Sequence, residues 1–349
     1  LSHLARRIMT LFSGEVAFFR LSSSQVVVGH GPFSRSAECP AGDAFYVNDF
    51  ALAQQQPWLV PQSWEVLSAA NIEGAEVELQ AEWLAPDASR FAQVFQAITT
   101  ALRQGVIEKT VPVVVEQGHL LRGDGYGIAT RFAQLAAPKI GYGLLTPQRG
   151  FAGATPEVLF EMKGLELRTM ALAGTARRDE HAMFSIDDKE IREHELVAQS
   201  LVAKLADLGT VQRQPRRILD LDPLIHFQSL IEVALHEPVR VERLLRLLHP
   251  TPALGPLPRT QESLHLLGDW REALQCPAEF GAPFGLRWQD SFRAVVAIRG
   301  LWWEGQQLLL PAGCGVIEAS RMVNEWRELH LKREAVKRAI HLHSPPLSF

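Results

Sequence analysis

The sequence predicts an α+β fold in which large, mostly antiparallel sheets are layered with helices. Two observations lead there. Strand-like runs recur along the chain, several at hairpin spacing, and long helical segments join them without an internal repeat or low-complexity linker. No glycine fingerprint follows an early strand, which removes the doubly wound dinucleotide-binding alternative. With 349 residues and 38.9 kDa, the chain has ample core for one large domain or two intimate lobes.

Residues 1–12 carry Arg6 and Arg7 but no secretory apolar core, so they read as an amphipathic helix and not a signal peptide. Short strands are expected at 26–28, 44–47 and 76–79, with turn residues between them. Phe91, Val94, Phe95, Ile98 and Leu102 repeat at helical spacing over 89–104, with Asp87 or Ser89 as the cap. Further strands are expected at 109–115, 140–145, 158–162 and 165–172. Val197, Leu201, Leu205 and Leu208 form the apolar stripe of a helix half-buried against a core. Residues 211–219 and 225–235 read as extended and 239–248 as helical, and the next helix begins within 259–268. Strands at 294–301 and 307–310 precede the final helix.

Composition narrows the function. An apolar content of 47% is ordinary for a soluble globular protein. A net charge of −4 and a pI near 6.3 give no basic footprint, so nucleic acid is not an expected partner. The apolar runs are too short to cross a bilayer, and no membrane association is expected. Cys39, Cys276 and Cys314 are odd in number and lack metal or redox spacing, as expected of reduced thiols in a cytoplasmic protein.

Two charged helix faces stand out. Near the C-terminus Glu325, Glu328 and Lys332 are three and four residues apart and share a face, which continues through Ala335 and Ala339 and not through Arg327, Arg333 or Lys337. A loop containing Gly313 and Gly315 lies just upstream. Carboxylates and an ammonium beside such a loop suggest a site for a metal and an anionic ligand; a solvated face of helical ion pairs is the plainer alternative. The second face is the 197–208 stripe, which extends four residues back onto Glu193, with Glu190 and His194 beside it. A carboxylate on a core-facing stripe is costly to bury without a cation. Glu193 and Glu328, with Glu325 nearby, read as part of an oxygen-rich site for a hard divalent ion that keeps some of its waters.

The ordered motifs Gly153-Ala154-Thr155-Pro156-Glu157, Ala171-Leu172-Ala173-Gly174-Thr175-Ala176-Arg177-Arg178, Asp188 to Glu195, His249-Pro250-Thr251-Pro252-Ala253-Leu254-Gly255, Val296-Ala297-Ile298-Arg299, Ala312-Gly313-Cys314-Gly315 and Glu325 to Lys332 closely resemble the chorismate-utilising enzymes. That family includes isochorismate, salicylate, anthranilate and aminodeoxychorismate synthases. The resemblance implies its fold, with the active site in a central cleft. It also implies a catalytic core over 89–349 and a divergent N-terminal portion over 1–88.

The resemblance further implies Mg2+ between Glu193 and Glu328, holding the ring carboxylate of chorismate. Arg299 falls on the arginine that pairs with a substrate carboxylate, and Lys332 looks like a second cationic contact. Backbone groups at Gly174, Thr175, Gly313 and Gly315 approach anionic oxygens, and His226 lines the ring pocket. Lys109 matches the lysine that activates water for attack at C2, and Glu157 the acid that protonates the departing C4 hydroxyl. A lysine base needs a lowered pKa and the acid a raised one, so the two require different surroundings.

Some positions depart from the family pattern. Pro112 interrupts the run after Lys109, which suggests an edge strand or bulge. An expected second glycine is Pro256, and Phe280 to Gly285 lacks the usual tyrosine. The expectation is a Mg2+-dependent isochorismate synthase, a monomer without a glutamine amidotransferase subunit. A salicylate synthase and a non-catalytic chorismate-binding relative are the alternatives. Use of the product in menaquinone or in siderophore synthesis stays open.

Overall fold

The computed structural model describes residues 14–72 and 78–345. The helix expected over 1–12 and the first part of the strand expected at 76–79 lie outside the described residues. Two ten-stranded sheets dominate. The first runs through Leu342–His343, Leu79–Leu84, Val113–Arg122, Gln307–Gly313, Gly300–Glu304, Arg149–Thr155, Ile140–Leu145, Val16–Arg20, Gln25–His30 and Ser63–Ser68. The second runs through Gly209–Arg213, Leu224–Leu235, Glu166–Arg177, Val158–Lys163, Ser291–Val296, Pro283–Trp288, Ala44–Val47, Trp58–Val60 and Ser34–Ser36, and Arg217–Asp220 also pairs with Leu224–Leu235. Neighbouring strands are antiparallel except Leu342–His343, which lies parallel to Leu79–Leu84. Lys109–Thr110 and Val316–Ile317 form a small separate pair. The α+β class expected from the strand and helix runs is the one observed.

The sheets pack face to face, with helices on both outer faces. Alternation along single strands makes this layering possible, because successive side chains leave a strand on opposite sides. In Val16–Arg20, Ala17 and Phe19 enter the layer between the sheets with Tyr142, Phe151, Phe284 and Val295. Val16 and Phe18 enter the outer layer with Ile128 and Phe132 of the helix Gly125–Gln134 and with Val336 of the C-terminal helix. Both faces are buried, so the strand reads as a continuous apolar run and not as an alternating one. On the far side, Val197, Leu201, Leu205 and Leu208 cover the second sheet with Leu244 and Leu248, as the stripe predicted.

Helix starts follow local chemistry. Asp87 caps Ala88–Arg103 by accepting from the N–H groups of Ser89 and Arg90, and Asp187 caps Asp188–Leu205 by accepting from Glu190 N–H.

The structure corrects three expectations. The run at 294–301 is not one strand: Ser291–Val296 belongs to the second sheet and Gly300–Glu304 to the first, and the chain crosses between them with Arg299 at φ +57°. Likewise 109–115 is broken at Val111 and Pro112, and 211–219 is broken between Gly209–Arg213 and Arg217–Asp220. On the C-terminal helix, Arg333 and Lys337, which lie off the face shared by Glu325, Glu328 and Lys332, are also buried. Arg333 Nε lies 3.4 Å and Lys337 Nζ 2.9 Å from the Glu116 carboxylate, which anchors this helix to the strand Val113–Arg122.

Candidate active site

The chain crossing at 297–299, the turn at Pro156 and the start of the helix Asp188–Leu205 converge on one cavity of about 70 Å³. It is lined by Glu157, Gly174, Thr175, Glu193, His226, Arg299, Gly313, Gly315 and Lys332, nine of the residues singled out from sequence. Glu325 and Glu328 line an adjoining wider cleft of about 460 Å³, which shares Thr175 and also carries Lys189 and Glu190. A larger cavity of about 630 Å³, lined by Phe33, Phe151 and Trp302, includes none of these groups. Volume alone therefore does not locate the chemistry; the convergence of buried titratable groups does.

Arg299 is the group best placed to receive an anion. Its guanidinium is partly buried, and burial lowers its pKa to about 10 against the opposing pull of Glu328 and Glu157. Among the described residues no carboxylate forms an ion pair with it. Its partner is neutral: the guanidinium Nη2 lies 2.9 Å from His226 Nε2. His226 Nδ1 lies 3.0 Å from the Gly174 carbonyl, which can only accept, so Nδ1 carries the ring proton and Nε2 accepts from Arg299. Burial and the nearby Arg299 hold the imidazole well below its ordinary pKa, consistent with this tautomer. A partly desolvated guanidinium whose hydrogen-bond partner is neutral is suited to pairing with an anion.

Glu157 occupies the turn between Arg149–Thr155 and Val158–Lys163. Burial pushes its carboxyl up to about 7, although a hydrogen bond donated by Thr251 and the charges of Lys109, Lys332 and Arg299 pull the other way. Near neutrality it is therefore divided between its protonated and ionised forms, a carboxyl able to give up a proton there. Lys109 begins the short strand Lys109–Thr110 and is fully buried, but it does not line the cavity. Its ammonium sits behind Glu193, 3.4 Å from Oε1, and donates to the Pro252 carbonyl at 2.6 Å. Lys332 pairs with Glu328 and donates to the Gly313 carbonyl at 2.8 Å.

The carboxylates gather on two helices. Glu190 accepts from Thr175 N–H at 2.7 Å, directly after Gly174 at φ +77°. Burial, assisted by Glu193 and Glu328, raises Glu190 to about 7 against Lys189; burial and Glu328 raise Glu325 to about 7. Burial would raise Glu193 as well, but Lys109, Lys189 and Lys332 outweigh it and hold this carboxyl below its ordinary value. Gly315 passes so close to Glu193 that a Cβ there would collide with the carboxylate.

The donor set suits a hard divalent ion. Glu325 Oε2 is buried without a hydrogen-bond partner, and the raised Glu190 and Glu325 mark a cluster short of positive charge. Among the described residues no three acidic, His or Cys side chains stand ready as a complete cage. Magnesium typically takes only one or two protein carboxylates and completes its shell with water and ligand oxygens. Sequence reasoning did not assign roles to Lys189, Glu190 or Thr251. The spacing of Lys189 and Glu190, four and three residues before Glu193, was the available signal.

Residues 62–341 match the family model for chorismate binding enzymes. The chain belongs to that family. Isochorismate synthase EntC of Escherichia coli strain K12 is 30% identical over 207 residues, covering 55% of this chain and 51% of that protein. The salicylate biosynthesis isochorismate synthase of Pseudomonas aeruginosa is 30% identical over 262 residues, covering 72% of this chain and 51% of its own length. The matched stretch thus spans about half the length of these relatives. The structure of MenF, the menaquinone-specific isochorismate synthase from Escherichia coli, superposes with a TM-score of 0.78 at 19% identity, over 97% of this chain and 91% of that one. At that identity the likeness establishes the fold. Among the described residues, no helix of this chorismate-binding enzyme is long and apolar enough to cross a membrane.

Proposed function

We propose that this chorismate-binding enzyme is an isochorismate synthase, converting chorismate to isochorismate with Mg2+. One observation carries the reading: Arg299, with no carboxylate ion-paired to it among the described residues, and Glu157, its carboxyl raised to about 7, line one cavity with Glu193, while Glu190, Glu325 and Glu328 line the cleft adjoining it. Chorismate offers two carboxylates and a ring hydroxyl, which match these three features.

In this reading Glu193 and Glu328 hold the metal, with Glu325 and Glu190 beside them. When bound, Mg2+ supplies positive charge that fixes the ring carboxylate. Arg299, aimed by neutral His226, takes the second carboxylate through paired charge-assisted hydrogen bonds. Lys109 is the base in this reading: its ammonium, which lies behind Glu193 in the structure, must first lose its proton and turn from the Pro252 carbonyl into the cavity, where it takes a proton from water as the water oxygen bonds to C2. The ring double bonds shift, and Glu157 protonates the C4 hydroxyl, which leaves as water. Ala173 lines the cavity with a small side chain, leaving space for water where a lysine would block or replace it. Phe280 also lines the cavity without a tyrosine hydroxyl, removing one restraint that pyruvate elimination would require. In this reading no amidotransferase subunit is required, because the nucleophile is water.

The test is a chromatogram of products from purified protein, chorismate and Mg2+. It should show a chorismate–isochorismate mixture approached from either side, with no added ammonium or glutamine. Stoichiometric pyruvate with salicylate would move the assignment to salicylate synthase. Unchanged chorismate would leave a binding relative.

A further inference from the structure

Lys189 occupies the middle of the carboxylate cluster, which none of the roles above explains. Its ammonium lies 2.8 Å from Glu190 Oε1, 3.3 Å from Glu325 Oε1 and 3.7 Å from Glu193 Oε2. These contacts join the helix Asp188–Leu205 to the C-terminal helix Met322–Ala339, across the place where a cation is needed. With three carboxylates within ion-pair distance, its ammonium is the cation of the cluster. An ammonium and a hard dication both require these oxygens. Their mutual repulsion at such separations is severe even in a partly solvated site.

We propose that metal loading is an exchange, in which the Lys189 ammonium leaves the carboxylate cluster as the divalent ion enters. This inference rests on the metal assignment above and deepens it. The departing side chain has somewhere to go: Lys189 lines the wider cleft, whose wall also carries Glu180 and Asp187, and its stem is long enough to swing. In the metal-free protein Lys189 holds the two helices together. In the loaded protein it stands at the mouth of the site. It is a positioning residue and takes no part in proton transfer.

Two measurements test this without relying on turnover. Mn2+ binding followed by electron paramagnetic resonance should be about tenfold or more tighter in Lys189→Met than in the parent, because the competing charge is gone, and should stay weak in Lys189→Arg. In the unaltered protein, reductive methylation read by peptide mass spectrometry should modify Lys189 several times faster with Mg2+ than with EDTA. The labelling arm needs no variant, so it stands even if Lys189→Met fails to fold without metal. Mn2+ affinity unchanged or weaker in a folded Lys189→Met, or labelling that does not rise with Mg2+, would overturn the exchange while leaving the metal site intact. No Mn2+ binding by the unaltered protein would remove the metal assignment itself.

Discussion

Lys109→Gln and Glu157→Gln should each lower turnover by about two to four orders of magnitude, the usual worth of a positioned proton-transfer group. Chorismate binding should survive both, since the Arg299 and metal contacts remain. The pH profile separates the two roles. Glu157 is raised to about 7, so its protonated fraction falls as pH rises through that value, and the rate should fall with it. That limb should be missing from the residual activity of Glu157→Gln. The same proton affects stability. Between the ordinary value of 4.5 and about 7 the folded protein retains a proton that the unfolded chain releases, so this group's contribution to stability declines as pH rises across that window. Near-normal hydroxylation at C2 by Lys109→Gln would show that another group activates the water.

Treatment with EDTA should abolish turnover, and Mg2+ should restore it. Glu328→Gln should weaken metal-dependent substrate binding, because a neutral amide cannot replace the carboxylate charge that offsets a dication. Glu190 and Glu325, both raised to about 7, should release protons as the ion binds, measurable by calorimetry in buffers of different ionisation enthalpy. Full activity in a chelated sample would remove the assignment of Glu193 and Glu328 as ligands.

The sequence announces elements whose pattern is local. Ala44–Val47 and Ile140–Leu145 lie where their β-rich runs place them, and the helix Ala88–Arg103 is within one residue of its apolar repeat. The strand Val16–Arg20 escapes because both its faces are buried, and the helix Gly125–Gln134 because it opens on Gly-Tyr-Gly, a poor helical start. The two-sheet crossing at Arg299 lies hidden in an apolar run, since hydrophobicity alone does not say which sheet a residue joins.

The site follows the same rule. Glu193 is legible because it continues an apolar stripe, and Glu328 because it shares a face with Glu325 and Lys332. The burial of Arg333 and Lys337 is not legible because their partner, Glu116, is more than two hundred residues away, and no helical period reveals a distant counter-charge. Lys109 is identified by motif, but its placement behind Glu193 depends on the pairing of Lys109–Thr110 with Val316–Ile317, a non-local contact.

Running the reaction in H2(18)O and analysing isochorismate by mass spectrometry after the first turnovers shows whether this cavity directs water to C2 of chorismate. One heavy oxygen is expected in isochorismate, at the C2 hydroxyl, with the original C4 oxygen lost to solvent. Isochorismate formed without solvent oxygen, or an aminated product in its place, would contradict it.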